Sequence, residues 1–177
     1  MKMSWAIMTW IALALGMPYV AAADQPKTLH VAQTIVIKAP VDAVWAASKD
    51  FNGLAKWHPA LEKDEIIKGT NNVPGAVRSL SVKGGGTITE QLLAFSEPMH
   101  SFKYEILESP LPVASYVSTF TVKPGKGDTA VIHWTGTFKR KNSADNPPDD
   151  QTDDAAKKVI TGIYSSGLAN LKKQVEH

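Results

Sequence analysis

Residues 39–61, APVDAVWAASKDFNGLAKWHPAL, decide how the rest of the chain is read. Pro40 has a fixed φ and no amide hydrogen to donate, so it suits the first position of a helix. Behind it Val41, Val44 and Trp45 recur at helical spacing and would share one face. Asp50 is placed to cap a second, shorter helix over 51–57, which Pro59 stops. One strand-like segment precedes this helical pair, and a long run of them follows it.

In 28–38, Leu29, Val31, Ile35 and Ile37 alternate with Thr28, His30, Thr34 and Lys38, the period of a half-buried strand. Residues 64–68 read as a short strand, and Asn71-Asn72-Val73-Pro74-Gly75 as a turn. Alternation then runs through 75–83, 87–95, 100–108, 114–123 and 128–139. Ala76, Arg78, Leu80 and Val82 share a face in the first, and Ile88, Glu90, Leu92 and Ala94 in the second. Phe102, Tyr104 and Ile106 do so in the third, and Ala114, Tyr116, Ser118, Phe120 and Val122 in the fourth. Ala130, Ile132, Trp134, Gly136 and Phe138 complete the set. Short turns such as Pro124-Gly125-Lys126-Gly127 make neighbouring strands antiparallel.

A polar loop, 141–150, leads to a helix over 152–175. Val159, Ile163 and Gly167 lie four apart on it, flanked by Ile160, Tyr164 and Leu171. Asp153 and Asp154 at its start and Lys172 and Lys173 near its end suit the helix dipole. The expected fold is α+β: a curved antiparallel sheet of about seven strands, two short helices after the first strand, and a long C-terminal helix gripped by the sheet. The inward faces carry Arg78, Glu90, Tyr104, Tyr116, Ser118 and Trp134 among aliphatics. A solid core rarely holds so many polar groups, so an amphipathic cavity is expected.

The chain has 177 residues, no cysteine, and 19 Lys+Arg against 17 Asp+Glu. Lys2, the uncharged run 5–15 and Ala21-Ala22-Ala23 have the layout of a secretory signal peptide cleaved after Ala23. The run is too short to span a bilayer. The expectation is a leader over 1–23 and one domain over 24–177, periplasmic after export and not held in the membrane. Nearly balanced charge does not favour nucleic acid as a partner. The lack of cysteine excludes thiol chemistry and cysteine-held metals. No nucleophile–base spacing, phosphate-binding glycine loop or metal-ligand cluster occurs, so neither metal nor cofactor is expected. Catalysis is not the first expectation; it would have to use Glu90, His58 or a tyrosine as acid or base.

The motifs VWAASKDFNGLAKWHPAL (44–61), PGAVRSL (74–80), KGGGTITEQLL (83–93), ILESPLPVASYVSTFTV (106–122), IHWTGTF (132–138) and VITGIYSSGLANL (159–171) carry a resemblance. In their order they resemble the START-like helix-grip superfamily of polyketide cyclases and lipid-transport proteins (SRPBCC). Within it the chain is most similar to the MxaD group, exported accessory proteins of bacterial methanol oxidation.

The resemblance implies an internal cavity for a small hydrophobic ligand. It further implies that His58, Leu80, Val82, Glu90, Tyr104, Tyr116, Ser118, Trp134, Val159, Ile163 and Gly167 line the cavity, with Arg78 on the same inward face. Gly84, Gly85 and Gly86 would form a gate loop, with Pro110, Leu111 and Pro112 in the loop opposite. His58 stands where hormone-binding relatives carry a lysine that anchors an acid, so a carboxylate ligand is not implied. For the accessory group the implied partners are methanol dehydrogenase and cytochrome c. Two readings of the polar residues stay open. Arg78 and Glu90 either orient a ligand or neutralise each other. His58 and the tyrosines either serve a ligand or are satisfied within the core.

Overall fold

A computed structural model of the chain describes residues 26–176, so the expected leader lies outside the described residues. Seven strands are present: β1 (Leu29–Ile37), β2 (Leu61–Lys68), β3 (Val77–Val82), β4 (Thr87–Ser96), β5 (Ser101–Glu108), β6 (Val113–Pro124) and β7 (Ala130–Arg140). They form one antiparallel sheet in the order β1-β7-β6-β5-β4-β3-β2. β1 and β2 are consecutive in the chain yet lie at opposite edges. The helices α1 (Val41–Ser48) and α2 (Leu54–Trp57) make that crossing, which is why the opening stretch governs the fold. The long helix α3 (Asp153–Val175) packs beside β1 and touches both short helices. Among the described residues no helix is long and apolar enough to cross a membrane.

Hydrophobic burial holds these layers together. Trp45, Phe51, Phe120, Phe138, Ile132 and Leu92 are almost wholly enclosed. Phe102 stacks on Phe120 with ring centres 5.1 Å apart. Thr152 caps α3 by accepting from the Ala155 amide at 3.2 Å. The helix buries Ala156, Ile160, Tyr164, Gly167, Leu168 and Leu171. This stripe lies one residue around from the expected one, so Val159 and Ile163 are only half-buried.

Local readings are also corrected. α2 begins at Leu54, and Asp50 does not cap it. Asp50 Oδ1 instead accepts from Asn52 N–H in a tight turn at 3.0 Å. The Leu54 amide is taken by Asp64 Oδ2 of β2, at 2.9 Å. β2 itself begins at Leu61, because Leu61 already pairs with Val82. Of the five register shifts in the sheet, two change which residues face inward against the expected alternation. One, between Ala114 and Val117 with Ser115 at φ 51°, turns Val113 and Tyr116 inward and leaves Ala114 half-buried. The other, between Leu92 and Ala94, leaves Ala94 exposed.

Candidate functional site

A cavity of about 110 Å³ lies between α2, α3 and the inner faces of β3 to β7. Of the residues expected around it, His58, Leu80, Val82, Glu90, Tyr104, Tyr116, Trp134, Ile163, Pro110 and Leu111 form its wall. Leu54, Leu61, Ile88, Ile160 and Tyr164 join them. Arg78 and Ser118 sit behind that wall, bonded to residues that form it. Val159 and Pro112 line a separate outer groove with Lys141 and Gln151. Gly167 packs against His58, where a Cβ would lie 2.6 Å from His58 Cδ2.

Pro110 is exposed, while Ala60, Val82, Ile106, Leu111 and Ile163 are half-buried, so the mouth lies on this side. Gly84, Gly85 and Gly86 have φ of 88°, 109° and 96°, a region that favours glycine. A Cβ on Gly86 would stand 3.1 Å from Pro110 Cγ, so the two loops meet across the mouth.

The polar groups on the inward faces are mostly occupied with one another. Arg78 and Glu90 are cross-strand partners in the β3–β4 register. Arg78 Nε and Nη2 donate to Glu90 Oε2 at 2.8 and 2.6 Å, and Nη1 donates to Phe51 O at 2.6 Å. Asp64 Oδ2 lies 3.6 Å from Nη1. The guanidinium carbon sits 4.1 Å from the Phe51 ring centre, a cation–π contact. One cation therefore serves two buried carboxyls. Burial raises Glu90 above its ordinary range against the pull of Arg78. Burial likewise raises Asp64 to about 6, with Arg78 and the Leu54 amide opposing.

The Asp64 shift has a testable consequence. Its native pKa of about 6 exceeds its ordinary 3.8, so the folded state holds a proton that the unfolded chain has released. That contribution is full below pH 4 and is lost as pH rises through 6. Asp64→Asn keeps an acceptor for Leu54 and cannot ionise. Relative to the wild type it should gain about 2 kcal/mol between pH 4 and pH 7 in urea denaturation. A difference that stays flat with pH would show that Asp64 titrates like an exposed carboxyl.

His58 has both ring nitrogens engaged. Nδ1 accepts from the Ala60 amide at 3.3 Å, so Nε2 carries the proton and donates to Ile163 O at 3.0 Å. Burial holds its pKa down. Next to it Asn170 Nδ2 donates to Trp57 O at 2.8 Å and Gln174 Nε2 to Lys56 O at 3.1 Å. Together these bonds clip α2 to α3. His58 lines the cavity with its ring and leaves neither nitrogen free.

A second network surrounds Trp134, whose ring stacks on Tyr164 at 4.3 Å. Trp134 Nε1 donates to Tyr104 Oη and Ser118 Oγ, each at 3.0 Å. Tyr164 is its hub, bonded to Ser118 at 2.9 Å and to the Tyr116 hydroxyl. Burial pushes Tyr104 up to about 12, and Tyr116 and Tyr164 well above the ordinary tyrosine value. All three stay protonated at neutral pH. The expected amphipathic cavity is thus corrected in degree: most of the polar groups bond to each other, and the wall is almost wholly apolar, with Glu90 and Tyr104 among its lining residues.

Besides the apolar wall residues Leu54, Ala60, Leu61, Ile88, Ile106 and Ile160, sequence reading left two polar members outside the site, Tyr164 and Asp64. Tyr164 follows Ile160 by four residues on the truly buried stripe, a signal hidden by a one-residue error of phase. Asp64 meets Leu54 and Arg78 only through tertiary packing, for which no local signal exists.

Residues 28–176 match the family described as polyketide cyclase/dehydrase and lipid transport. The chain belongs to that family. Among solved structures it is similar to the XoxI protein of Bacillus cereus, with 31% identity and a TM-score of 0.72 over 82% of this chain and 94% of that one. A Bacillus thuringiensis protein shares 30% identity with a TM-score of 0.73, covering 84% of this chain and 100% of its own. The Zhui aromatase/cyclase of a Streptomyces species, at 22% identity and a TM-score of 0.66 over 85% of this chain and 94% of its own, shares the fold. No curated protein matches the chain. Family membership and the seven-stranded grip on a long C-terminal helix agree with the expectation from sequence.

Proposed function

We propose that the protein binds one small, mainly apolar molecule in this cavity, as a carrier or sensor rather than an enzyme. The observation that carries the reading is a mainly apolar chamber most of whose surrounding polar groups are bonded to one another. Such a wall favours burial of apolar surface without a polar penalty. The lipid-transport part of the family description supports it. A cyclase-type reaction has less support, because His58 offers no free nitrogen and the tyrosines hold their protons. At about 110 Å³ the chamber is smaller than the roughly 150 Å³ that admits benzene, so the enclosed part of the ligand is compact.

Titration with small cyclic hydrocarbons, followed by the Trp134 indole proton in NMR, should give saturable binding. Ile163→Trp, which pushes a larger ring in from the mouth, should weaken it about tenfold or more while the fold persists. Failure of every such probe to saturate would remove the basis of the reading.

A second reading is an exported accessory protein of methanol oxidation, acting between methanol dehydrogenase and cytochrome c in the periplasm. The run of KGGGTI, ILESPLPV, WTGTF and GIY behind an apparent leader favours it. Adding the mature protein to the purified pair should change the rate of cytochrome reduction. An unchanged rate across ionic strengths would rule that role out.

A further inference from the structure

The direction of the hydrogen bonds around Trp134 determines what the cavity offers a ligand. Thr135 O can only accept, so Ser118 gives its one proton there, at 2.8 Å. Ser118 Oγ must then accept from both Trp134 Nε1 and the Tyr164 hydroxyl. That uses the Tyr164 proton, so the Tyr116 hydroxyl must donate to Tyr164. One hydroxyl is not fixed by this chain of bonds. Tyr104 Oη accepts from Trp134 Nε1, and its own proton has the Tyr116 and Ser118 hydroxyls nearby but is committed to neither. Tyr104 lines the cavity, with 2% of its surface exposed.

Near it the electrostatics exclude an anion. Arg78 is turned onto Glu90 Oε2 and Phe51 O, and two carboxyls share that one cation. Glu90, which also lines the cavity, has no hydrogen bond to Oε1 among the described residues. A carboxylate placed beside Tyr104 would face this oxygen without a free cation to answer it. A neutral oxygen meets no such repulsion.

We infer that the ligand presents a neutral hydrogen-bond acceptor, a carbonyl or ether oxygen, to the Tyr104 hydroxyl, on a compact apolar body. This rests on the ligand-binding reading above and names the class of ligand. It makes Tyr104 the specificity-determining residue of an otherwise apolar chamber. A site that offers a buried donor discriminates against ligands that leave it unpaired.

Cyclopentanone and methylenecyclopentane have nearly the same shape and differ in the acceptor. Both are titrated into the folded protein and into Tyr104→Phe, in which Trp134 Nε1 still has Ser118 as partner. The substitution should weaken cyclopentanone about tenfold and leave methylenecyclopentane within about twofold. Equal effects on both probes, or an effect on neither, would overturn the inference while leaving cavity binding intact. If neither probe binds the wild type, the binding reading itself falls and takes this one with it.

A second measurement needs no variant. The carbonyl carbon of 13C-labelled cyclopentanone should shift downfield in the complex relative to its position in alkane. A bound shift equal to the alkane value would overturn the inference even if Tyr104→Phe fails to fold.

Discussion

Arg78→Met is expected to cost about 3–5 kcal/mol of stability, enough to leave a domain of ordinary stability largely unfolded. Arg78 is 2% exposed and its guanidinium is the shared partner of Glu90, Asp64 and Phe51 O. Methionine fills much of the same volume and supplies none of those bonds. Two carboxyls and a carbonyl would then be buried without the cation, and each carboxyl would have to take up a proton. The loss should therefore be greater at pH 8 than at pH 5. Adding Glu90→Leu and Asp64→Asn to the same chain removes the orphaned charges and should recover at least half of the loss, because an apolar replacement of a whole buried ion pair is often nearly neutral. Urea denaturation of the single and triple variants at the two pH values checks this. A single variant within about 1 kcal/mol of the wild type would mean that the cluster is solvated and that Arg78 is dispensable.

That cluster also shows where sequence reading succeeds and where it stops. Period-two alternation placed Arg78, Glu90, Tyr104, Tyr116, Ser118 and Trp134 on inward faces, and all of them are buried there. The helical pair after β1 was legible from Pro40, Pro59 and the spacing of Val41, Val44 and Trp45. What alternation cannot carry is pairing. Whether Arg78 faces a ligand or Glu90 depends on the β3–β4 register, which brings the two opposite each other. The same limit applies to Asp64, whose bond to the Leu54 amide exists only once β2 lies beneath α2. Bulges are a further limit, since an extra residue puts the two sides of a strand out of phase; the one at Ser115 left Tyr116, Ser118, Phe120 and Val122 inward but moved Val113 in and Ala114 towards the surface. On α3 the family resemblance named Val159, Ile163 and Gly167; Ile163 does line the cavity, but Val159 faces the outer groove and Tyr164, one residue further round the helix, takes a place at the wall.

Gly136→Ala should destabilise the domain by about 3 kcal/mol, a large effect for a single methyl group. Gly136 lies on β7 opposite Ser118, and a Cβ there would overlap the Tyr164 hydroxyl. Tyr164 cannot easily move aside. Its ring stacks on Trp134 at 4.3 Å, and its hydroxyl bonds Ser118 and Tyr116. Yielding to the methyl would break the chain that ends on Thr135 O, adding a lost hydrogen bond to the steric cost. Tyr164→Phe alone should cost about 1 kcal/mol, because Ser118 keeps its bonds to Trp134 and Thr135. The informative measurement is the double variant. With the Tyr164 oxygen gone the methyl has room, so Gly136→Ala in the Tyr164→Phe background should cost at least 1 kcal/mol less than in the wild type. A Cβ at this position would also stand 3.5 Å from Tyr116 Cε2, which is ordinary contact. Strictly additive costs would therefore locate the strain in the β7 backbone and remove Tyr164 as the reason for a glycine here. Coupling would show that one hydroxyl on α3 dictates the residue beneath it on the sheet, and that the polar network behind the cavity wall is built as a unit.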